Sequence, residues 1–457
     1  MDRIAAGSVF RPLRIVIQSA VCICLFAHAP RSFAEDSASK AVACGFTDPS
    51  LGDTSDILGV IDYKAAIRQL LAGQKFEELD CIADAARASK SLFAGGRWKL
   101  NVLYWAIKEP QGHATEEDWA AHLRALSRWV SVRPKSITAR VALANAYTAY
   151  AWNARGSDYA ETVTQSGWKL FHERIEKARI ILEDASRVRT RCPHWYAVMQ
   201  QVALAENWDL SRETALLAEA VAFAPDYYYY YRNHANYLKP QWSGAEGDAE
   251  RFAAQTADRV GGPKGDILYF QIATEIICHC GAEPDLKLMS WPRIQTGVAQ
   301  LEKQDGVSLV NLNLLAYMAI KEADSVFARD TFLRIGDSWD QESWRTRRYF
   351  DSSKDWADKR AEYEDSPVTR IIRQAREKFA PAIRQCAQTG AGDTTSFSLE
   401  LRVQKDGIVD SVRAFPQTTV GSCLTKLNGE TLSPPPYAPF IFNIDVDPAP
   451  LLRQATK

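Results

Sequence analysis

Apolar residues in the middle of the chain recur every three or four positions, which is the spacing of one face of an α-helix. Ile67, Leu70 and Leu71 show this pattern, and it continues to about residue 350 with short breaks marked by Gly or Pro. The pattern predicts a region over 60–350 that is almost entirely helical and contains no strand. A further helix is predicted over 368–386.

The spacing of apolar residues changes from helical to alternating after that helix. Residues 397–404 alternate between apolar and polar side chains, which predicts a half-buried strand. Asp406-Gly407 predicts a hairpin turn, with the returning strand over 408–415. A short helix at Cys423 and a last apolar strand over 440–446 complete a small α+β unit.

These patterns predict a mainly α protein, in which an irregular array of helix pairs precedes a small C-terminal α+β domain. The predicted segments are a signal peptide (1–34), a flexible leader (35–59), a helical repeat-like domain (60–350), a linker (351–366), the α+β domain (367–447) and a tail (448–457).

Two stretches of the helical region look like versions of one another. Leu126 to Pro134 is followed by Ala144-Asn145, and Leu217 to Pro225 is followed by Ala235-Asn236. Each is a helix that ends before a proline, with small alanines where the next helix packs closely, and this arrangement resembles tetratricopeptide-type helical hairpins. Because the separation of the two stretches is not a whole number of standard repeats, the resemblance implies an irregular array.

Three other segments resemble a bacterial domain family of unknown function with tetratricopeptide-like helices. They are Phe-Ala-Gly-Gly-Arg-Trp-Lys-Leu at 93–100, Ala-Tyr-Ala-Trp-Asn-Ala-Arg-Gly at 149–156 and Pro-Gln-Trp-Ser-Gly-Ala-Glu-Gly-Asp at 240–248. The resemblance covers about residues 60–281, and its most specific part is the Ala-Trp-Xaa-Ala-Arg-Gly motif. It implies a helical fold and no known activity.

The C-terminal domain resembles that of the energy transducer TonB and its distant relatives. The order of its elements, Gly407, Cys423 and the prolines at 434–436 carry this resemblance. Since prolines cannot donate ladder hydrogen bonds, the last strand is expected at a sheet edge. The resemblance implies that this edge binds an extended segment of a partner. Alternation along the strand predicts that Asn443 and Asp445 face away from the core and discourage indiscriminate pairing. The long proline-rich spacer of TonB is absent here.

The first residues predict export. Arg3, Arg11 and Arg14 precede an apolar run over 15–27, and Ser-Phe-Ala at 32–34 offers small residues for cleavage. The run is shorter than the ~20 apolar residues of a membrane span. We therefore expect cleavage after Ala34, a periplasmic or secreted protein, and no stable membrane span in the mature chain.

Charge and cysteine content narrow this interpretation. The formal net charge of −1 gives no basic footprint for nucleic acid. In an oxidising compartment some cysteines should pair, and Cys386 with Cys423 is predicted because both lie in one small domain. The pairing of the other mature cysteines stays open: Cys44, Cys81, Cys192, Cys278 and Cys280.

Candidate catalytic and metal-binding motifs are weak, and no cofactor or metal is predicted. Cys278-His279-Cys280 lacks a second ligand pair, which favours a structural or disulfide role. His172 and Glu176 share a helix face without the second histidine of zinc proteases, which favours a solvated charged face. Glu342 precedes Ser343 as in lytic transglycosylases, and it is the one weak catalytic candidate.

Aromatic residues suggest a binding surface. The run Tyr227 to Tyr231 must project in several directions from a helix, so some rings should reach a groove, although aromatic rings can also serve only to separate helix pairs. The candidate ligand-binding residues are Trp152, Arg155, Tyr229 and Trp242. For Arg155, a buried ion pair or a carbonyl cap is favoured over ligand binding.

The sequence therefore favours a non-catalytic periplasmic protein that binds a protein or peptide of the cell envelope. The alternative is an envelope protein that binds or cleaves cell-wall glycan through an aromatic groove and a carboxylate.

Overall fold

A computed structural model describes residues 44, 46, 48–49, 56–112, 114–156, 160–277, 286, 288–361, 367–390 and 392–453. Most of these residues are helical, and a three-stranded antiparallel sheet lies near the carboxyl end. The predicted fold class, mainly α with a small C-terminal α+β unit, is confirmed. Within the described residues, no helix is both long and apolar enough to cross a membrane.

The first part of the helical array begins its helices with well-formed caps. Thr115 and Asp118 form a capping box at the start of one helix, and the Ser136 hydroxyl accepts from the Ala139 N–H at the start of the next. The helices are α1 (Asp56–Ala72), α2 (Phe76–Ser89), α3 (Lys99–Ala106), α4 (Glu116–Val132), α5 (Ile137–Arg155), α6 (Gln165–Ala185), α7 (Pro193–Ala205) and α8 (Leu210–Phe223).

The second part continues the array with helices of similar length. They are α9 (Tyr229–Tyr237), α10 (Asp248–Val260), α11 (Gly262–Ile276), α12 (Trp291–Asp305), α13 (Leu309–Lys321), α14 (Ser325–Ile335), α15 (Gln341–Trp344) and α16 (Arg347–Arg360). The prediction of a linker over 351–366 is wrong at residues 351–360. These residues form the second half of α16, where Ala357 is fully buried and holds the helix against the array.

The array has two hydrophobic cores rather than one. The first core takes its buried residues from Phe46 to Tyr230, and the second from Tyr231 to Ala357. Helix α9 contributes to both cores, because Tyr230 is buried in the first core and Tyr231 is buried in the second. The helical region is therefore two packed bodies that share α9.

A short hairpin joins the two bodies a second time. Strands β1 (Leu92–Phe93) and β2 (Arg97–Trp98) pair around a turn at Ala94–Gly96, so the expectation of no strand over 60–350 is wrong here. The Gly95 N–H donates to the Gly306 carbonyl at 3.2 Å, and the Asn311 amide donates to the Gly95 carbonyl at 3.2 Å. The hairpin therefore ties the first body to the start of α13.

The segment before α1 is anchored at three described positions. Cys44 forms a disulfide with Cys81, and Phe46 is buried in the first core. The Asp48 carboxylate forms an ion pair with Lys99, with 2.6 Å between Oδ2 and Nζ. The prediction of a flexible leader over 35–59 is wrong at these positions. The sequence pattern missed the anchoring because a covalent bond and a buried ion pair hold the segment, not helical periodicity.

The C-terminal unit packs one helix on one face of its sheet. Its elements are α17 (Pro367–Thr389), β3 (Phe397–Val403), β4 (Val409–Phe415), α18 (Thr419–Cys423), β5 (Phe440–Val446) and α19 (Pro448–Arg453). The strand order is β4-β3-β5, and the unit has its own buried core. Cys386 and Cys423 form the predicted disulfide, with Cα atoms 5.7 Å apart. Two disulfides fit an oxidising compartment outside the cytoplasm.

Strand β5 pairs only with β3 and lies at an edge, as predicted. Its outer backbone is nevertheless engaged by the helical array. Arg334 of α14 donates to the Ile441 carbonyl at 2.9 Å, the Ile441 N–H donates to the Glu302 carboxylate, and the Asn443 amide donates to the Arg334 carbonyl at 3.1 Å. The expectation that Asn443 discourages pairing at an open edge is wrong, because Asn443 is buried against α14.

Candidate functional site

A pocket of about 210 Å³, called here the central pocket, lies where five segments of the array meet. The β1–β2 hairpin, the start of α9, the middle of α11, the start of α13 and α15 each supply part of its wall. The polar residues that line it are Arg97, Arg232, Gln271, Thr274, Ser308, Asn311, Asp340, Glu342 and Ser343. Tyr228 and Phe270 add apolar surface.

Two arginines give one side of the central pocket a positive charge. Arg232 donates to the Glu275 carboxylate at 2.9 Å, so part of this charge is balanced within the wall. Burial raises the pKa of Tyr229 well above its ordinary value, and Arg97 and Arg232 both oppose that rise. The two guanidinium groups therefore act on the same small region.

The positive charge extends to α1 beside the pocket. The pKa of Lys64 is lowered to about 8, first by burial and then by the nearby charges of Arg68 and Arg97. The negative charges of Glu342 and Glu109 act in the opposite direction and raise the pKa of Lys64. Burial is the largest cause of the lowered pKa, and each of the two arginines acts on Lys64 more strongly than either carboxylate.

The side chain of Gln271 is the most unusual feature of the wall. It is only 9% exposed, and within the part of the chain that the structure describes its amide group makes no hydrogen bond. Such a group at a pocket wall is available to donate to, and accept from, a bound molecule.

The carboxylates of the pocket differ in their surroundings. Asp340 accepts from the Ser343 backbone N–H at 2.7 Å and from its hydroxyl at 2.6 Å, so it serves as the N-cap of α15. Glu342, the weak catalytic candidate, is exposed at the rim. A general acid for glycoside cleavage is usually enclosed by apolar side chains, an environment that Glu342 lacks.

Three of the four predicted ligand-binding residues lie together elsewhere on the surface. Trp152 and Trp242 meet edge to face with ring centroids 6.0 Å apart, and the Arg155 guanidinium lies 5.5 Å from the Trp152 ring and 5.4 Å from the Trp168 ring. We call these four residues the tryptophan shelf. Arg155 also donates to the Gly156 carbonyl at 3.1 Å, which agrees with the predicted carbonyl cap.

The fourth predicted residue, Tyr229, has a role inside the fold. Its hydroxyl accepts from the Trp98 N–H at 3.3 Å and from the Tyr228 hydroxyl at 3.0 Å. Tyr229 therefore links β2 to the start of α9 and holds Tyr228, which lines the central pocket. Of the run of five tyrosines, Tyr228 is the residue that reaches a cavity wall.

Metal-binding candidates gain no geometric support. No group of three or more metal-ligand side chains is found among the described residues. His172 and Glu176 are both exposed on α6, as the solvated-face interpretation predicts, and His172 stacks on Trp168. Cys278-His279-Cys280 lies outside the described residues.

In a larger pocket of about 340 Å³ near the start of α5, the charged residues Asp80, Asp84, Arg87 and Arg133 already have partners. Asp80 accepts from Ser136 and from Arg133, and Arg87 donates to Thr138 at 2.9 Å. These contacts hold α2 to α5.

The sequence did not identify the main residues of the central pocket. Arg97 lies inside the motif at 93–100, and Arg232 directly follows the tyrosine run, so both were next to recognised features. Gln271 gave no signal, because a glutamine on an apolar helix is recognised as unpaired only from its surroundings. Glu342 was singled out for catalysis, and the structure places it at this pocket.

The chain matches no protein-family model, no curated protein and no solved structure.

Proposed function

We propose that this chain is an exported, non-catalytic binding or scaffold protein that recognises a protein or peptide of the cell envelope. The observation that carries the proposal is the central pocket, whose polar lining converges from the β1–β2 hairpin, α9, α11, α13 and α15. Helical arrays commonly present such composite surfaces to other chains.

The proposed location rests on the sequence and on the disulfides. The N-terminal pattern of a signal peptide predicts export, and the pairs Cys44–Cys81 and Cys386–Cys423 are typical of oxidising compartments. Both support a periplasmic or secreted protein.

The C-terminal unit is proposed to supply a second contact with the envelope. In the present arrangement Arg334 and Glu302 engage the Ile441 backbone, so β5 is not offered to a partner strand. The second contact would therefore use another surface of the unit, or β5 after the unit has separated from α14.

The experiment that tests the binding function is affinity selection. Purified mature protein is immobilised, a peptide digest of the native envelope is passed over it, and retained peptides are identified by mass spectrometry. We expect a defined set of peptides to be retained by wild type and lost by Gln271→Met, which removes the amide at similar size. The matched control is Arg124→Gln, an exposed position on α4. Retention of no peptide above the blank would refute the proposal.

The rival function is cleavage of cell-wall glycan, which is favoured by the tryptophan shelf, where Trp242 is exposed, and by Glu342 at the pocket rim. Tryptophan faces often stack on sugar rings. Incubation of purified cell wall with wild type and with Glu342→Gln decides between the two functions. Release of soluble glycan by wild type and its loss in the variant would replace the binding function with the enzymatic one.

A further inference from the structure

Resting on the proposed peptide-binding function, we infer that the central pocket receives the uncharged carboxamide side chain of a glutamine or asparagine in a bound peptide. The group that selects it is the carboxamide of Gln271, which lines the pocket and is 9% exposed. The hydrogen bonds, the charge and the size of the pocket wall each favour such a side chain.

Four other neutral side chains of the wall already use a hydrogen-bond donor within the fold. The pairs are Tyr228 to the Tyr229 hydroxyl at 3.0 Å, Thr274 to the Gln271 backbone carbonyl at 2.7 Å, Asn311 to the Gly95 carbonyl at 3.2 Å and Ser343 to the Asp340 carboxylate at 2.6 Å. Gln271 differs from them, because its carboxamide makes no hydrogen bond within the described part of the chain. It can therefore pair with a molecule in the pocket without breaking a contact that holds the wall.

A carboxamide is matched best by another carboxamide. Each has an acceptor oxygen and two N–H donors, so the two groups can pair through two hydrogen bonds. A carboxylate only accepts and an ammonium group only donates, so either one would leave part of the Gln271 carboxamide unpaired. An apolar side chain would leave all of it unpaired. Loss of one such hydrogen bond corresponds to about tenfold in affinity.

The charges of the wall favour a neutral group. Arg97 and Arg232 line the pocket together with Asp340 and Glu342, so two basic side chains face two acidic ones. Arg232 is also paired with Glu275 at 2.9 Å. A charged ligand group would approach charges of its own sign as well as charges of the opposite sign. A neutral group with both donors and acceptors meets no such repulsion.

The size of the pocket favours one side chain rather than a whole ligand. At about 210 Å³ it is smaller than the roughly 300–1,000 Å³ of sites that enclose a whole drug-sized ligand. One side chain of a peptide can enter the pocket while the rest of the peptide lies outside.

The test is isothermal titration calorimetry of the full mature chain with tripeptides of the form acetyl-Ala-Xaa-Ala-N-methylamide. Xaa is glutamine, asparagine, glutamate, lysine or methionine, so the probes differ only in the side chain that they offer. We expect the better of the glutamine and asparagine probes to bind at least tenfold more tightly than each of the other three. A sixth probe, triacetylchitotriose, presents the amide groups of a glycan and should bind more weakly than that peptide.

Two variants with the same chemical change show where the probes bind. Gln271→Met should weaken binding of the better carboxamide probe at least tenfold. Gln388→Met, at an exposed position of α17, should leave every affinity unchanged. Circular dichroism and the thermal midpoint show whether each variant is folded. If Gln271→Met does not fold, the comparison of the six probes on wild type still decides.

The inference is overturned if the methionine, glutamate or lysine probe binds as tightly as the carboxamide probes, or if folded Gln271→Met binds them unchanged. Tighter binding of triacetylchitotriose would also overturn it and assign the pocket to a glycan. If the selection retains envelope peptides but the carboxamide probes have no advantage, the inference fails and the binding function stands. If the selection retains no peptide, the binding function fails and this inference fails with it.

Discussion

Gln271 and Glu302 are both buried polar side chains, but only one of them is satisfied within the fold. Glu302 receives hydrogen bonds from Arg334 at 2.6 Å and from the Ile441 N–H. Gln271 makes none among the described residues. Glu302 therefore has a structural role, whereas the Gln271 amide lines the central pocket.

Lys64 provides a prediction about pH. We expect it to titrate near pH 8, because burial together with Arg68 and Arg97 lowers its pKa from 10.5 to about 8. Since the folded pKa is the lower one, the contribution of Lys64 to the free energy of unfolding should increase between about pH 8 and 10.5.

The measurement is carbon-13 NMR of reductively methylated lysines, followed across this pH range. Arg97→Gln should raise the Lys64 midpoint because it removes a neighbouring positive charge, and the exposed Arg124→Gln should leave it in place. A midpoint at the ordinary lysine value in wild type would contradict the arrangement of charges described around α1.

The sequence predicted only some of the individual residues of the candidate site. Trp152, Arg155 and Trp242 were recognised from motifs, and the structure brings them together. Arg97 and Gln271 were not recognised, because their importance arises from segments more than 100 residues apart that meet in one pocket. Spacing along one helix carries no information about such a meeting.

At the scale of elements, the β1–β2 hairpin has the strictest local requirements. Gly95 has φ +74°, and a Cβ there would lie 2.6 Å from the Ser308 Cβ and 2.8 Å from the Asn311 amide nitrogen. Glycine is therefore required at position 95 for two reasons, which are the backbone conformation and the close approach to α13. Gly112 has φ +71° but no neighbouring atom within 4 Å of a built Cβ.

This contrast predicts the effects of two alanine substitutions. Gly112→Ala should cost about 1 kcal/mol through backbone strain alone. Gly95→Ala should cost about 2–4 kcal/mol, because it adds a steric clash that pushes the hairpin away from α13. Urea unfolding followed by tryptophan fluorescence measures both, and similar losses would show that the hairpin does not pack tightly on α13.

The sequence predicted whether a segment is a helix or a strand wherever the segment was long enough for its spacing of apolar residues to repeat. The strands β3 and β5 have seven residues each and were predicted from alternation and apolar composition. The strands β1 and β2 have two residues each, which is too short for any period to show. Their pairing depends on the turn between them and on contacts with α13.

At the scale of the whole molecule, the C-terminal unit is docked on the array through a buried polar cluster centred on Arg334. Arg334 is 5% exposed and binds Glu302, the Tyr437 hydroxyl and the Ile441 carbonyl. The unit has a core of its own, so this cluster joins two separately packed bodies. A buried ion pair of this kind is costly when its other partners are removed.

Truncation after Ala361 tests this arrangement. We expect the shortened chain to keep its helical circular dichroism, because both cores of the array remain, but to melt at a lower temperature. The loss should arise mainly from Arg334 and Glu302, which lose Ile441 and Tyr437 as partners.

The control is the same truncation carrying Arg334→Met and Glu302→Leu, which should recover part of the lost stability. Collapse of the helical signal in both shortened chains would mean that the C-terminal unit is needed for the array to fold.

The sequence predicted the two kinds of unit and the Cys386–Cys423 pair, but not how the units are joined. The strand edge was recognised from the prolines before β5. That α14 would cover it could not be predicted, since Arg334 and Ile441 are 107 residues apart and neither belongs to a motif.

The contact between Gly95 and the start of α13 also affects how the array should unfold. Open repeat arrays lose their terminal helices first, because an end repeat has only one neighbour. Here Gly95, on the hairpin after α2, hydrogen-bonds with Gly306 and Asn311 at the start of α13. Helices α3 to α12 are therefore tied at both ends and have no free end at which fraying can begin. Hydrogen exchange in native buffer should therefore show similar protection in α3 and α13, rather than protection that declines from the centre outward.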